Sequence, residues 1–582
     1  MIRIAAARAI AGIALVQGLL LFGLHQSREH HTWPATDLRW LVAFYTLAAV
    51  IPLTLELCAA HLADPRLWRA LGVLAVPFGA MGAYVGWVLS PAPRASAPDL
   101  VLVFALCMAA LWWILLPFLQ AGLRSGRLRP WQPYGELFEL AWQNILVVGE
   151  SALFTGLFWL LLWLWAALFD LIGVSFFEKL FTKPAFAYPV TSVAFGYAVS
   201  LVQSRESFVV MLRRHLLGVL AWLLPLVALI ETGFLLALPA TGLAPLWKTG
   251  QATFLMLWLQ VFLVVFLNAA WQDGTQPPPY PAWLRRVVSV AVLGLPVYAG
   301  LCAYSLGLRI GQHGLSVDRI WAAVLTLVLG LYGLGYAVAA TRTGPWMGEL
   351  GRVNLAMAWV VAGLLVAVNT PLLDPRRLAA SSQLARLLAG QVVTARFDYD
   401  YLRFSLGAYG DRALRRLASV QGHADSTEIR RLAVLALAKT QRWGPPSLPD
   451  QPSELARHIE MLPAGAALEP GFLAYLQRTL RDSMGFAPGC FQRTGLPCVM
   501  LAVDLDGDGL DEVASITGWP KVVYARTDSG WRRVGELVGR GYAELEERWI
   551  DSLRRQPPRA VPPRWRALEI GGQWLYVAED PR

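Results

Sequence analysis

Residues 158–201 read FWLLLWLWAALFDLIGVSFFEKLFTKPAFAYPVTSVAFGYAVSL, two apolar runs parted by a short segment that carries Asp170, Glu178, Lys179 and Lys183. Crossing a hydrocarbon core of about 30 Å takes roughly 20 apolar residues in a helix. With its flanks each run reaches that length, so spans are predicted near 148–172 and 185–203. Trp159, Trp163 and Trp165 crowd the first run, as amphipathic rings do at a bilayer interface.

The same pattern repeats on both sides. Nine further runs lie near 4–24, 40–60, 69–90, 100–122, 215–238, 251–270, 286–307, 320–340 and 353–373, which makes eleven predicted spans. Two alternatives change the count: residues 136–150 as an interfacial helix leading into the fifth span, or 171–190 as a re-entrant segment. Composition agrees, since 582 residues that are 56% hydrophobic and 15% charged, with mean hydropathy +0.47, need lipid as their solvent. The expected fold is a polytopic all-α membrane protein followed by a C-terminal soluble α+β domain.

The net charge of +10 does not point to nucleic acid, because the basic residues sit in short loops between apolar runs. They read as topology signals. With the N-terminus inside, the inner loops hold fourteen Arg, Arg3 through Arg352, against eight Arg and Lys, Arg28 through Arg319, in the outer loops. The positive-inside rule therefore favours a cytoplasmic N-terminus. The first run has no small-x-small cleavage site before Ser27 and reads as a signal anchor. An odd span count then sends the C-terminus to the opposite side, outside the cytoplasm.

After Pro371 the charge density becomes ordinary, which divides the chain into a transmembrane part, 1–375, a helical subdomain, 376–485, and a β-rich subdomain, 486–582. LARLLAGQVV and IRRLAVLALAKT have helical spacing, and 453–482 also reads as helical. From Cys498 alternating, β-branched runs predict a small antiparallel unit, with QWLYVAE as its last strand after a Pro-rich connection at 556–563.

The sharpest local motif is Asp504-Leu505-Asp506-Gly507-Asp508-Gly509-Leu510-Asp511-Glu512, set between two predicted strands. Oxygen ligands at alternate positions suit a hard cation such as Ca²⁺. Position 12 is Ser515 where an EF-hand requires Glu, and strands rather than helices flank the loop, so an EF-hand is not expected. Either a calcium site or an Asp- and Gly-rich turn satisfies the pattern. The segment resembles the FG-GAP, or integrin-type, calcium loop. That resemblance implies side-chain ligands at Asp504, Asp506, Asp508 and Glu512 and a carbonyl donor at Leu510.

Cys490 and Cys498 bracket Gly495 and Pro497 and read either as a short disulfide loop in an oxidising compartment or as free thiols. Within the spans Glu56, Glu150 and Glu231 are costly in hydrocarbon and form the candidate intramembrane polar site, together with Gln143, Asn144, Gln260, Asn268, Asn354 and Asn369. His25, Glu29, His30 and His31 lack a regular metal spacing, and the Asp398 to Asp400 triplet is too short to define a transferase site. The chain has no Walker A loop, GxSxG elbow, HExxH helix or dinucleotide fingerprint, so sequence motifs give catalysis little support.

Residues 158–201, together with DPRRLAASSQLARLLAGQVVTARFDYDYLRFSLGAYGDRALRRLA at 374–418, resemble the bacterial domain-of-unknown-function 4153 family of predicted inner-membrane proteins. The resemblance covers most of residues 1–420. It implies a membrane architecture and a bacterial envelope location and carries no biochemical activity with it. Joined to the loop motif, these readings lead to the expectation of an inner-membrane protein that displays a periplasmic calcium-binding domain for sensing or scaffolding, with the lipid bilayer and an envelope protein as partners. The alternatives are a transporter that uses the intramembrane carboxylates, with the tail as a regulatory cap, and a membrane glycosyl or lipid-linked transferase.

The orientation is testable. A periplasm-active reporter fused after Arg582 should be active and a cytoplasm-only reporter silent; the reverse pattern would overturn the outward tail.

Overall fold

A computed structural model describes residues 2–90, 97–242, 252–276, 278–439, 455–457, 459–482, 488–492, 498–518, 521–528, 530–537, 546–556, 558, 568–570 and 573–575. The predicted loop cations Arg94 and Lys248, and most of the Pro-rich connection, lie outside these residues. The chain forms two compact units, one of residues 1–391 with 405–413, the other of 392–404 with 414–582.

The first unit is helical: α1 (Ile2–Glu29), α2 (Leu38–Leu57), α3 (Pro65–Leu89), α4 (Ala97–Ser125), α5 (Tyr134–Asp170), α6 (Phe176–Phe181), α7 (Pro184–Gln203), α8 (Glu206–Thr241), α9 (Ala252–Trp271), α10 (Ala282–His313), α11 (Val317–Thr341), α12 (Leu350–Val368) and α13 (Pro375–Leu388). Among the described residues eleven helices are long and apolar enough to cross a membrane, and α6 and α13 are not among them. The count and order match the prediction. Residues 136–150 belong to α5, whose 37 residues make a rod of about 55 Å, so the fifth span runs well beyond a bilayer core. Between α5 and α7 the chain makes only the six-residue α6. Phe177 and Phe181 of that helix pack on Trp159, Trp163 and Trp165.

Close helix packing depends on small residues where lipid supplies no hydrophobic drive between helices. α1 and α7 meet at Gly18 and Gly196. A Cβ on Gly18 would come within 2.6 Å of the Pro189 Cα, and one on Gly196 would overlap the Ala14 side chain. Either change would push the two helices apart.

Asp374, fully buried, closes the first unit after the last span. Its carboxylate caps α13 by accepting from the Arg376 amide at 2.8 Å, and it also accepts from Arg376 Nε at 2.9 Å and the Tyr84 hydroxyl at 2.7 Å. With Tyr84 donating to Asp374, the Tyr409 hydroxyl, 2.9 Å away, donates to Tyr84. Arg412 lies 4.6 Å over the Trp87 ring. These contacts tie residues 405–413 to the end of α3.

The second unit contains most of α14 (Tyr399–Ser405) and the end of α15 (Gly407–Ala418), then α16 (Ser426–Ala438), β1 (Ile459–Leu462), α17 (Pro470–Asp482), α18 (Gly489–Gln492), β2 (Cys498–Val503), β3 (Glu512–Ser515), β4 (Val522–Thr527), β5 (Gly530–Glu536), α19 (Glu546–Arg555), β6 (Leu568–Ile570) and β7 (Gln573–Leu575). One sheet has the order β1-β2-β3-β4-β5; β6 and β7 form a separate hairpin. Two expectations are corrected. Residues 459–462, read as helix, form a strand, and the sheet is mixed because β1 pairs parallel to β2, Ile459 opposite Cys498. Four residues, IEML, are too few for periodicity to distinguish the two structures, and the parallel partner lies almost forty positions away.

Both faces of the sheet are covered. Phe472, Leu476 and Leu480 of α17 share a core with Met500, Val513 and Tyr524, while Val499, Leu501 and Ile516 pack with Ile550 and Leu553 of α19. This explains why CVML at the start of β2 is apolar throughout rather than alternating.

Breaking a buried ion pair on one side costs about 3–5 kcal/mol, whereas a single hydrogen bond to a charged group contributes about 1.5–3 kcal/mol. Asp374→Ala should therefore lower the thermal-unfolding midpoint of the detergent-solubilised protein more than Tyr84→Phe, which removes the hydroxyl's bonds to Asp374 and Tyr409 but leaves the ion pair. Equal midpoints for Asp374→Ala and the parent protein would refute the role given to Asp374.

Candidate functional site

The acidic motif forms the hairpin loop between β2 and β3, closed by the pairing of Val503 with Glu512. Gly507 and Gly509 have φ of +84° and +85°, the left-handed conformations that let the loop curl. One oxygen each of Asp504, Asp506 and Glu512 lie within 4.8 Å of one another, which is the one group of three or more His, Cys, Asp or Glu so arranged among the described residues. Glu512 is buried at the start of β3 and Asp506 is exposed. Backbone amides offset part of the repulsion: Asp504 accepts from Gly507 at 2.7 Å and Gly509 at 3.1 Å, and Glu512 accepts from Leu505 at 2.7 Å. Asp508 is not in the group; its carboxylate accepts from the Leu510 amide at 2.7 Å. Leu510 has an exposed side chain.

Cys490 of α18 and Cys498 at the head of β2 are joined in a disulfide, and both are buried in the core under α17. Elsewhere in this unit the Asp398 to Asp400 triplet is committed to structure. Asp398 accepts from the Tyr401 amide at 2.8 Å, and Asp400 pairs at 2.7 Å with the buried Lys439 ammonium. In the first unit His25 lies 3.3 Å from the Tyr188 hydroxyl and 3.9 Å from Glu29. His30 and His31 sit beyond α1 and join no metal-like group among the described residues.

Several of the polar side chains in the spans bind neighbouring helices. Asn144 and Gln120 exchange reciprocal amide hydrogen bonds at 2.7 and 3.2 Å, joining α4 to α5. Asn354, Asn268, Tyr134 and Tyr336 form one network across α5, α9, α11 and α12; Asn268 donates to Tyr336 at 2.7 Å and Asn354 donates to Tyr134 at 2.9 Å. Asn369 is satisfied within its own turn, by the Leu365 carbonyl at 2.8 Å. Sequence reasoning missed Gln120, Tyr134 and Tyr336, because tyrosine and glutamine in a span have polar roles only once the partner helix is known.

Glu56 and Glu231 differ. Both are fully buried, and neither carboxylate has a hydrogen-bond partner among the described residues. The Glu231 backbone carbonyl accepts from the Tyr298 hydroxyl at 2.8 Å, and the Glu56 carbonyl accepts from Gln203 at 3.3 Å. Glu150 is half-buried in α5, with one oxygen unpartnered. The three acids lie on α2, α5 and α8 and do not form a single carboxylate group.

Two larger cavities open in the first unit. One, of about 840 Å³, is an apolar groove between α1 and α2, lined by residues such as Leu20, Leu24, Phe44 and Ile51. The other, of about 700 Å³, mixes apolar and polar lining and lies where the start of α1, the end of α2, the end of α4, the first turns of α5 and the end of α7 meet.

This architecture is that of a multi-pass membrane protein with an appended α+β unit. Residues 9–417 match the model of the family described as Domain of unknown function (DUF4153), and the chain belongs to that family. No curated protein and no solved structure matches the chain.

The disulfide predicts the thiol count. Denatured without reductant, the protein should be alkylated only at Cys58, Cys107 and Cys302. Removing the cross-link by Cys490→Ser with Cys498→Ser should destabilise the tail by about 2–3 kcal/mol, the chain-entropy value for so short a loop, read as an earlier urea midpoint in pulse proteolysis. Alkylation at all five cysteines would contradict the cross-link.

Proposed function

We propose that the protein is a non-enzymatic membrane anchor of the bacterial inner membrane, whose C-terminal unit binds Ca²⁺ in the periplasm and works as a sensing or scaffolding domain for an envelope protein. The approach of Asp504, Asp506 and Glu512 to within 4.8 Å carries this reading. Three carboxylates at that spacing repel one another in a way that a divalent cation reverses, and hard oxygen donors select Ca²⁺ or Mg²⁺ over softer metals.

The loop's place in the fold supports the assignment. Asp504 and Glu512 stand at the two ends of the hairpin loop, beside the last residue pair of β2 and β3, so a cation bridging them would clamp the mouth of the hairpin. Asp506, held above by the loop's curl, supplies the third ligand. Asp508 and the Leu510 carbonyl would complete the shell after a local rearrangement of the tip, where Asp508 now accepts from the Leu510 amide. The Cys490–Cys498 disulfide supports an oxidising compartment, since such cross-links persist outside the reducing cytosol. Extracytoplasmic fluids also hold calcium at the higher concentrations that a partly exposed site requires.

A second reading rests on Glu56 and Glu231, whose carboxylates are buried in spans without partners. In this reading the bundle is a transporter or channel-like protein that carries protons or cations past these groups, with the tail as a regulatory cap.

Calorimetric titration of the full-length protein in detergent with CaCl₂ should give one saturable site, and Asp506→Ala and Glu512→Gln should each weaken it by about tenfold or more. Absence of heat in the parent protein, or unchanged affinity in both variants, would sink the calcium reading. The second reading predicts that Glu231→Gln abolishes proton uptake by proteoliposomes under an imposed potential; retention of uptake would remove it.

A further inference from the structure

We propose that the 700 Å³ cavity lined by Arg8 and Arg124 in the helical bundle is a binding site for a phosphoryl group. Its lining includes Arg8, Arg124 and His61 and no Asp or Glu. Two guanidinium groups over a pocket without a counter-charge select an anion, and the planar fork of each matches a pair of phosphate oxygens. Neutral donors stand among them: Ser200 and Gln143 line the cavity beside Ser204, whose hydroxyl donates to the Leu201 carbonyl at 2.6 Å.

The wall is pre-organised. The reciprocal Gln120–Asn144 pair is buried, and both residues line the cavity. Gln120 also donates to the Leu57 carbonyl at 3.3 Å, as Gln203 does to the Glu56 carbonyl. These bonds fix the neutral part of the wall, drawn from α2, α4, α5 and α7, while the exposed Arg8 and Arg124 side chains become ordered when the anion binds. Arg124 and Gln143 additionally border a smaller cavity of about 160 Å³ that Arg213 lines. Arg213 already has a partner in Glu139 at 3.4 Å, which leaves Arg8 and Arg124 as the main anion ligands.

The volume exceeds that of a bare phosphate ion several times over and lies in the range of cavities that hold whole small molecules. The phosphoryl group is therefore part of a larger molecule. Ile10, Leu140, Val147 and Leu201 give the cavity an apolar side for the rest of it. Two sources share this chemistry, a phospholipid headgroup entering from the bilayer and a water-soluble phosphate ester. The inference is independent of the calcium loop, which lies in the other unit.

The test uses the full-length protein in neutral detergent, with binding followed by thermophoresis at fixed ionic strength. The probes are dihexanoyl phosphatidic acid, glycerol 3-phosphate and, as the control without phosphate, dihexanoylglycerol. Saturable binding of either phosphate-bearing probe is expected, and the tighter of the two identifies the source. Arg124→Gln should weaken binding by about tenfold or more, the loss of one charge-assisted pair, while Arg124→Lys retains part of the affinity. Arg28→Gln should change nothing, because Arg28 lies twenty residues further along α1, about 30 Å from Arg8. If Arg124→Gln does not fold, Arg8→Gln with Gln143→Leu takes its place. The site is overturned if neither phosphate probe saturates, if dihexanoylglycerol binds as well, if the folded cavity variants bind like the parent, or if Arg28→Gln loses as much as they do.

Discussion

Within the hydrocarbon of a bilayer no water satisfies a polar group, so each amide, hydroxyl or carboxyl on a span needs a partner inside the protein or carries a cost of several kcal/mol. The helical unit is arranged around that constraint. Thr46, Thr54, Thr155, Thr191 and Thr326 return their hydroxyls to carbonyls four residues back in their own helices. Groups that cannot close locally join different helices: Trp112 to Thr54, Gln120 to Asn144, and the tetrad of Tyr134, Asn268, Tyr336 and Asn354. Small residues add to such contacts, as where Gly18 and Gly196 bring α1 and α7 together beside the His25–Tyr188 contact. Specific pairing of eleven chemically similar helices thus rests on a handful of polar and small side chains rather than on apolar area, which lipid would cover equally well.

The same constraint makes the exit from the last span a structural centre. Asp374 is fully buried and combines a helix cap, an ion pair and a tyrosine acceptor in one carboxylate. Any one of these interactions at a wet surface would contribute little. Buried together, they make a charge that cannot be left alone, and its partners come from α3, α13 and, through Tyr409, from residues 405–413. The family match ends at residue 417, just past this segment, so the matched region runs from the first span through the residues that Asp374 and Trp87 hold against the bundle.

The spans were legible from composition because a run of about 20 apolar residues has few alternative fates, and even the ambiguous stretch at 136–150 only lengthened a helix. The β2–β3 hairpin was legible for a related reason, since Asp and Gly between β-branched runs define a turn locally. What stayed hidden depends on distant partners. β1 is a strand only because β2 lies beside it, and Asp400 is an ion-pair member only because Lys439 folds back to it. The acidic loop was legible in part. Its alternating oxygens placed Asp504, Asp506 and Glu512 together, but the motif gave Asp508 the same rank, and its position depends on which backbone amide it accepts from.

Polar groups in the bundle therefore fall into two kinds, and the difference is one of physics rather than of residue type. Asn144 and Asn354 are buried, Asn268 is half-buried, and all three are hydrogen-bonded, so replacing them would remove packing specificity. Glu56 and Glu231 are fully buried, yet their oxygens meet no donor among the described residues. Leu or Gln in either position would be easier to bury than a carboxyl group. Glu56 directly precedes Leu57 and Cys58, which line the cavity that Arg8 and Arg124 share, and its own carbonyl anchors Gln203 in that cavity's wall.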